Sequence, residues 1–256
     1  MCRRFRSWAI LWIVAGCVFV GAVGAKESDP LSAREIVTRA QQAAGGETWT
    51  RPRSALMRGH AVFYTPGGIE RHERYDMWRV YPSQKGVAHA ADGKVRIESW
   101  YQGQRARLLT FDGQRSYTAS GPQPPSDADK QWSENFGFGV IRFAIDPGFR
   151  QERLPDDSVD GRPAYVVRII DPSGQMTLFS IAQDDYAILR VGFDTTRGWH
   201  ERLYSNFFRK PGISWVQPGL VRLYYDGVKQ NEIIWTDFEL NQPMSDDLFV
   251  VPEGGK

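Results

Sequence analysis

Hydrophobic and polar residues alternate along this chain in three patterns, each predicting a different element. Between Leu31 and Gly46 the period is helical. Ile36, Val37, Ala40 and Ala44 fall on one stripe, Ser32 and Glu35 form a capping box, Leu31 and Ile36 can close a hydrophobic staple, and Gly45-Gly46 supplies a stop. After Pro52 the period drops to about two. Ala55, Met57, Gly59, Ala61 and Phe63 share one face against Leu56, Arg58, His60, Val62 and Tyr64, and Pro66-Gly67-Gly68 turns the chain into a second run, Ile69 to Tyr81. Further strand-like runs are Val95 to Gln102, Arg105 to Phe111 and Arg115 to Thr118, with Asp92-Gly93, Gln102-Gly103-Gln104 and Asp112-Gly113 as hairpin turns. The pattern predicts an antiparallel meander.

Gly121 to Asp129, rich in Pro and Asp, reads as a surface loop. In Ser133 to Ile145, Phe136, Val140 and Phe143 return to helical spacing beside Phe138 and Ile141, and Asp146-Pro147-Gly148 ends the segment. Two readings fit it: a helix inside the core, or an apolar lid over a cavity. Strand patterns then resume at Ala164 to Ile170, Met176 to Ala182, Ile188 to Asp194, His200 to Phe208, Leu220 to Tyr225 and Glu232 to Leu240. About five strands before the predicted helix and six after it suit one long sheet, which at that length must curl, split or have a face covered.

The third pattern is an unbroken apolar run, Ser7 to Val20, behind Arg3, Arg4 and Arg6 and ahead of Val23-Gly24-Ala25. These are the parts of an export signal with cleavage after Ala25, which predicts residues 1–25 as a signal peptide, 26–256 as one mature domain, and a periplasmic location. A rival reading takes Val14-Ala15-Gly16-Cys17 as a lipobox, with the domain tethered to a membrane through a lipidated Cys17; the apolar stretch from Val18 to Ala25 speaks against it.

The signal changes the charge argument. The whole chain has 32 Lys and Arg against 30 Asp and Glu, and without the three N-terminal arginines the balance is 29 to 30, so nothing in the net charge points to nucleic acid. The basic residues along the strands read as solvated faces. Cys2 and Cys17 are the two cysteines, so the predicted mature domain has no disulfide and must be held by its core.

Signatures of chemistry are sparse. There is no Gly-Xaa-Ser-Xaa-Gly elbow, His-Glu-Xaa-Xaa-His, phosphate loop or dinucleotide fingerprint, and His60, His72, His89 and His200 do not pair at metal-ligand spacing. Asp156-Asp157, Asp184-Asp185 and Asp246-Asp247 read as turns or helix starts, where Asp is favoured for backbone reasons. The expectation is no enzyme, no metal and no cofactor. What abounds instead is aromatic residues on both phases of the strands, among them Trp78, Trp100, Trp215, Trp235, Phe63, Phe179 and Phe238. Either both sheet faces are covered by protein, or one lines an apolar cavity.

The order of these elements resembles the LolA-like superfamily of periplasmic lipoprotein carriers, which includes LppX-type lipid binders and RseB/MucB sensors. The matching stretches are Ser32-Ala33-Arg34-Glu35-Ile36 through Gly45-Gly46, Asp171-Pro172-Ser173-Gly174 with Met176 to Ile181, and Ile234-Trp235-Thr236-Asp237-Phe238-Glu239-Leu240-Asn241-Gln242-Pro243 leading to Asp247-Leu248-Phe249-Val250-Val251-Pro252. The resemblance implies a mainly β (α+β) fold: a single long antiparallel sheet curled into a half-barrel, with a few helices covering its concave face and an apolar cavity between. It also implies a non-catalytic periplasmic carrier or binder of lipid, acylated protein or another apolar ligand. The alternatives are an envelope sensor module of RseB type and an unrecognised periplasmic enzyme. Gly121 to Asp129 and the segment around Pro211 to Pro218 extend this chain beyond typical lipoprotein carriers. The expected partners are the apolar or acylated ligand and a membrane-bound donor or acceptor protein, with the chain itself a monomer. The expected cavity residues are Met57, Gly59, Ala61, Phe63, Phe136, Val140 and Phe143.

Overall fold

The computed structural model describes residues 31–81, 93–126 and 139–252. The predicted signal segment, both cysteines and residues 133–138, Phe136 among them, lie outside the described residues. The first helix, α1 (Ala33–Ala44), begins at the expected cap: Glu35 N donates to Ser32 Oγ at 3.3 Å, and Ser32 N donates to Glu35 Oε2 at 2.9 Å. Its stripe of Ile36, Val37 and Ala40 is buried. It ends where Gly45, at φ 136°, passes so close to Ser214 that a Cβ would lie 2.9 Å from the Ser214 carbonyl oxygen. A short helix α2 (Glu47–Thr50) follows and buries Trp49.

Among the described residues the strands form one antiparallel 13-stranded sheet. Six precede the crossover: β1 (Ser54–Thr65), β2 (Gly68–Val80), β3 (Lys94–Tyr101), β4 (Gln104–Phe111), β5 (Ser116–Thr118) and the two-residue β6 (Gly121–Pro122). Of the predicted helix over 133–145, the described part is α3 (Gly139–Phe143). Seven strands follow: β7 (Arg150–Val159), β8 (Arg162–Ile170), β9 (Met176–Ala182), β10 (Ile188–Thr195), β11 (Gly198–Ser205), β12 (Leu220–Tyr225) and β13 (Val228–Leu240). The spatial order is β6-β5-β4-β3-β2-β1-β13-β12-β11-β10-β9-β8-β7. Two meanders therefore meet where the first strand pairs with the last, and β6 and β7 are left as open edges.

Strand β7 escapes the periodicity argument because it is an edge strand. Its sequence carries Pro155 and a register shift between Leu154 and Asp157, both tolerated where one side of the strand needs no partner. Asp156-Asp157 therefore sits in this bulged strand rather than in a turn or at a helix start. Arg190 bonds Asp157 at 2.5 Å and Arg153 bonds Asp156 at 3.1 Å.

The inner face of the β7–β10 half is closed by α1, whose buried stripe joins Val167, Ile169, Phe179 and Ile181 in the main core. The outer face of β3 and β4 is covered by the C-terminal segment. There Phe249, fully buried in the 3₁₀ turn Asp246–Phe249, accepts from Thr110 Oγ1 at 2.7 Å through its carbonyl.

Candidate ligand-binding site

A cavity of about 370 Å³ lies on the inner face of the sheet. Seven consecutive strands contribute to its wall, from Ile97 in β3 through Met77 in β2, Met57 in β1, Trp235 in β13, Leu223 in β12 and Arg202 in β11 to Phe193 in β10. Six strand spacings of about 4.8 Å would span roughly 29 Å if flat. Only a strongly curled sheet brings both ends to one cavity of this size. The cap is made by Arg142 of α3 and by the connection between β11 and β12, which contributes Trp215, Gln217 and Pro218. That connection is strapped to the end of α1 by Val216 N donating to the Ala44 carbonyl at 2.9 Å, and by Ser214 Oγ donating to the Gly45 carbonyl at 3.0 Å.

Most of the wall is aromatic or aliphatic, and Tyr75 lies against Trp235 at 5.5 Å between ring centroids. The polar part is cationic. Arg79, Arg142, Arg197 and Arg202 line the cavity, and no carboxylate is among the described lining residues. The strand reading of basic residues as solvated faces fails at Arg79 and Arg202, and the physical reason is phase: Tyr75, Met77, Arg79 and Tyr81 alternate onto the cavity side, as do His200, Arg202 and Tyr204.

Arg142 is 4% exposed, and its Nε has no hydrogen-bond partner. Its guanidinium lies over the rings of Tyr81 at 4.5 Å, Trp49 at 4.7 Å and Trp215 at 5.1 Å. Burial pulls this guanidinium below its usual value, against the favourable influence of the Tyr81 and Tyr204 phenols. Burial likewise brings Arg79 down to about 10, with Arg142 and Arg202 adding like-charge repulsion, and pushes the Tyr204 hydroxyl up to about 12. At about 10, Arg79 remains cationic at neutral pH.

His200 lies four residues before Tyr204 along β11, about 13 Å away. It is 4% exposed, stacked on Phe193 at 4.5 Å and edge-on to Tyr225 at 5.0 Å, and neither ring nitrogen has a partner. Burial, aided by Arg202 and Arg197, drives its pKa down to about 2, so the imidazole is neutral.

The residues expected from the sequence to line a cavity are dispersed. Met57 is on the wall. Gly59 sits at a bulge, where a Cβ would collide with the Ile234 carbonyl of β13, so its lack of a side chain serves strand approach. Ala61 is buried in the main core, and Phe63 packs edge-on against His72 at 4.7 Å. Val140 and Phe143 are buried in the main core, Phe143 under the Arg51 guanidinium at 4.8 Å. Among the described residues no cluster of His, Cys, Asp or Glu could hold a metal ion, and no helix is long and apolar enough to cross a membrane.

These features define an open, curled antiparallel sheet capped by short helices over an inner cavity, a half-barrel similar in fold to LolA superfamily structures. A LolA superfamily protein from Nitrosomonas europaea superposes with a TM-score of 0.52 at 15% identity, covering 87% of this chain and 99% of that one. A domain from Vibrio parahaemolyticus, named for outer membrane lipoprotein sorting, superposes with a TM-score of 0.50 at 12% identity, covering 85% and 95%. At such identities the likeness is one of fold. No family model and no curated protein matches the sequence.

Proposed function

We propose that this protein is a non-catalytic periplasmic carrier or binder that shields an apolar or acylated ligand in the cavity between sheet and cap. The observation that carries the reading is the cavity itself. Its volume of about 370 Å³ lies within the roughly 300–1,000 Å³ typical of small-ligand sites, and its wall is dominated by residues such as Met57, Met77, Ile97, Val221 and Trp235. Moving an acyl chain from a bilayer into water costs about 0.8 kcal/mol per CH₂, so a chain of about 16 carbons needs roughly 12 kcal/mol of replacement apolar surface. The named Vibrio neighbour, with its lipoprotein-sorting domain, and the export-like pattern of Arg3, Arg4, Arg6 and the following apolar run support the envelope setting. A membrane-bound donor or acceptor would load or unload the domain.

The test is direct binding of a fluorescent fatty-acid probe to the domain spanning 26–256. Saturable binding, lost when Met77→Trp fills the wall while the melting temperature holds, is the expected result. A protein that takes up no apolar probe is not a carrier.

A further inference from the structure

We infer that the ligand is a single-chain amphiphile with an acidic head, a carboxylate or a phosphate, held by Arg142 with Arg79 and Arg202 while the tail lies along Met77, Ile97, Val221 and Trp235. This rests on the carrier reading and narrows it to one chemical class.

The first argument is charge. Four arginines line the cavity without a carboxylate among the described lining residues, and Arg79 lies close enough to Arg142 and Arg202 to be destabilised by both. Like charges gathered on an apolar wall lose hydration and repel one another, and a bound anion relieves both costs. The second argument is the unmet donor. Arg142 Nε is buried without a partner, although the side chain is sandwiched by three aromatic rings and touches Tyr81. Ring faces stabilise the cation but leave that N–H unanswered, whereas an acid head presents two or three acceptor oxygens in the geometry guanidinium groups prefer. The Tyr204 phenol lies near Arg202 on the same cavity wall. A neutral head would offer the buried Arg142 no counter-charge, and a cationic head would be repelled. The third argument is size, since about 370 Å³ is at the low end for ligand sites and suits one chain.

The experiment measures affinities of the domain for four ligands with the same twelve-carbon tail, each below its micelle concentration: lauric acid, dodecyl phosphate, dodecanol and dodecylamine. At least one acid should bind roughly tenfold or more tightly than dodecanol, and dodecylamine should bind weakest. Whichever acid binds tighter identifies the head as carboxylate or phosphate. Arg142→Met should remove the gap between acid and alcohol, chiefly by weakening acid binding. Arg202→Met should narrow the same gap, and serves if the first variant does not fold. Dodecanol or dodecylamine binding as tightly as both acids overturns the acidic-head inference and leaves the carrier reading standing. Failure of all four to bind sinks the carrier reading, and this inference with it.

Discussion

Strand β2 buries charge on both of its faces, and the two faces treat it differently. On the side away from the cavity, Asp76 lies opposite Glu98 of β3, two carboxylates in register and both nearly inaccessible to solvent. Each has its own guanidinium: Arg74 approaches Asp76 at 2.6 Å, and Arg96 bonds Glu98 while also donating to the Leu248 carbonyl at 2.7 Å. Arg105 adds a third cation 3.8 Å from Glu98. On the cavity side, Arg79 joins Arg142 and Arg202, and the Tyr81 and Tyr204 phenols favour the charge of Arg79 and Arg142. In the outer cluster both buried carboxylates are paired within the protein, and Arg96 ties the sheet to its C-terminal cover. The inner wall has four arginines and no carboxylate among its described lining residues, and it leaves Arg142 Nε without a partner, which is what a site for something else looks like.

The comparison predicts opposite responses to deletion, and the largest effect belongs to the outer face. Arg96→Met leaves Glu98 buried with only the more distant Arg105, and it also removes a bond to the C-terminal segment. The expected cost is about 3–5 kcal/mol of folding stability by urea unfolding. A loss below about 1 kcal/mol would mean that Glu98 is solvated and that the outer cluster is not structural.

Next in size is a pH effect on the inner face. His200 has a folded pKa of about 2 against 6.5 in the open chain, so between those values the unfolded state holds the extra proton. Stability from this group is therefore complete above pH 6.5 and falls as the solution is acidified through that value, by up to about 1.4 kcal/mol per pH unit. From pH 6.5 to 5 the loss is about 2 kcal/mol. His200→Phe should flatten that part of the profile, and an unchanged slope in the variant would assign the acid sensitivity elsewhere.

Local chemistry made most of the sheet readable in the sequence. Met176–Ala182 and Leu220–Tyr225 have the bounds their alternation suggests, and the Ser32–Glu35 capping box forms as its spacing requires. The edge strand β7 was hidden because its unpaired side tolerates proline and charge. The cavity cluster was hidden for a related reason. An arginine in an alternating strand reads as solvent-facing, and only its phase, shared with Tyr75 and Met77 for Arg79 and with Tyr204 for Arg202, betrays an inward position. Arg142 was obscured among the apolar residues of Gly139–Phe143, and its placement depends on Trp49 and Trp215, which are remote in sequence. Gly59 shows the converse, since a small residue on an apolar strand face can mean room or contact, and the approach of Ile234 from β13 decides between them.

The smallest expected change in stability is the most informative. Arg142→Met removes a buried cation whose burial is unfavourable and whose Nε is unpartnered, and replaces it with an apolar side chain that can occupy the space between the Trp49, Tyr81 and Trp215 rings. Exchanging buried charge for a packed apolar group is often neutral or stabilising, so without ligand the variant should unfold within about 1 kcal/mol of the parent, or above it. With an acidic amphiphile at about one hundred times its dissociation constant, the parent should gain about 2.7 kcal/mol, and the variant should gain much less. Arg96→Met should show the reverse pattern: a large loss without ligand and a normal ligand-induced gain. If Arg142→Met instead loses several kcal/mol in the absence of ligand, its guanidinium is a structural group like Arg96, and the distinction between the two faces of β2 collapses.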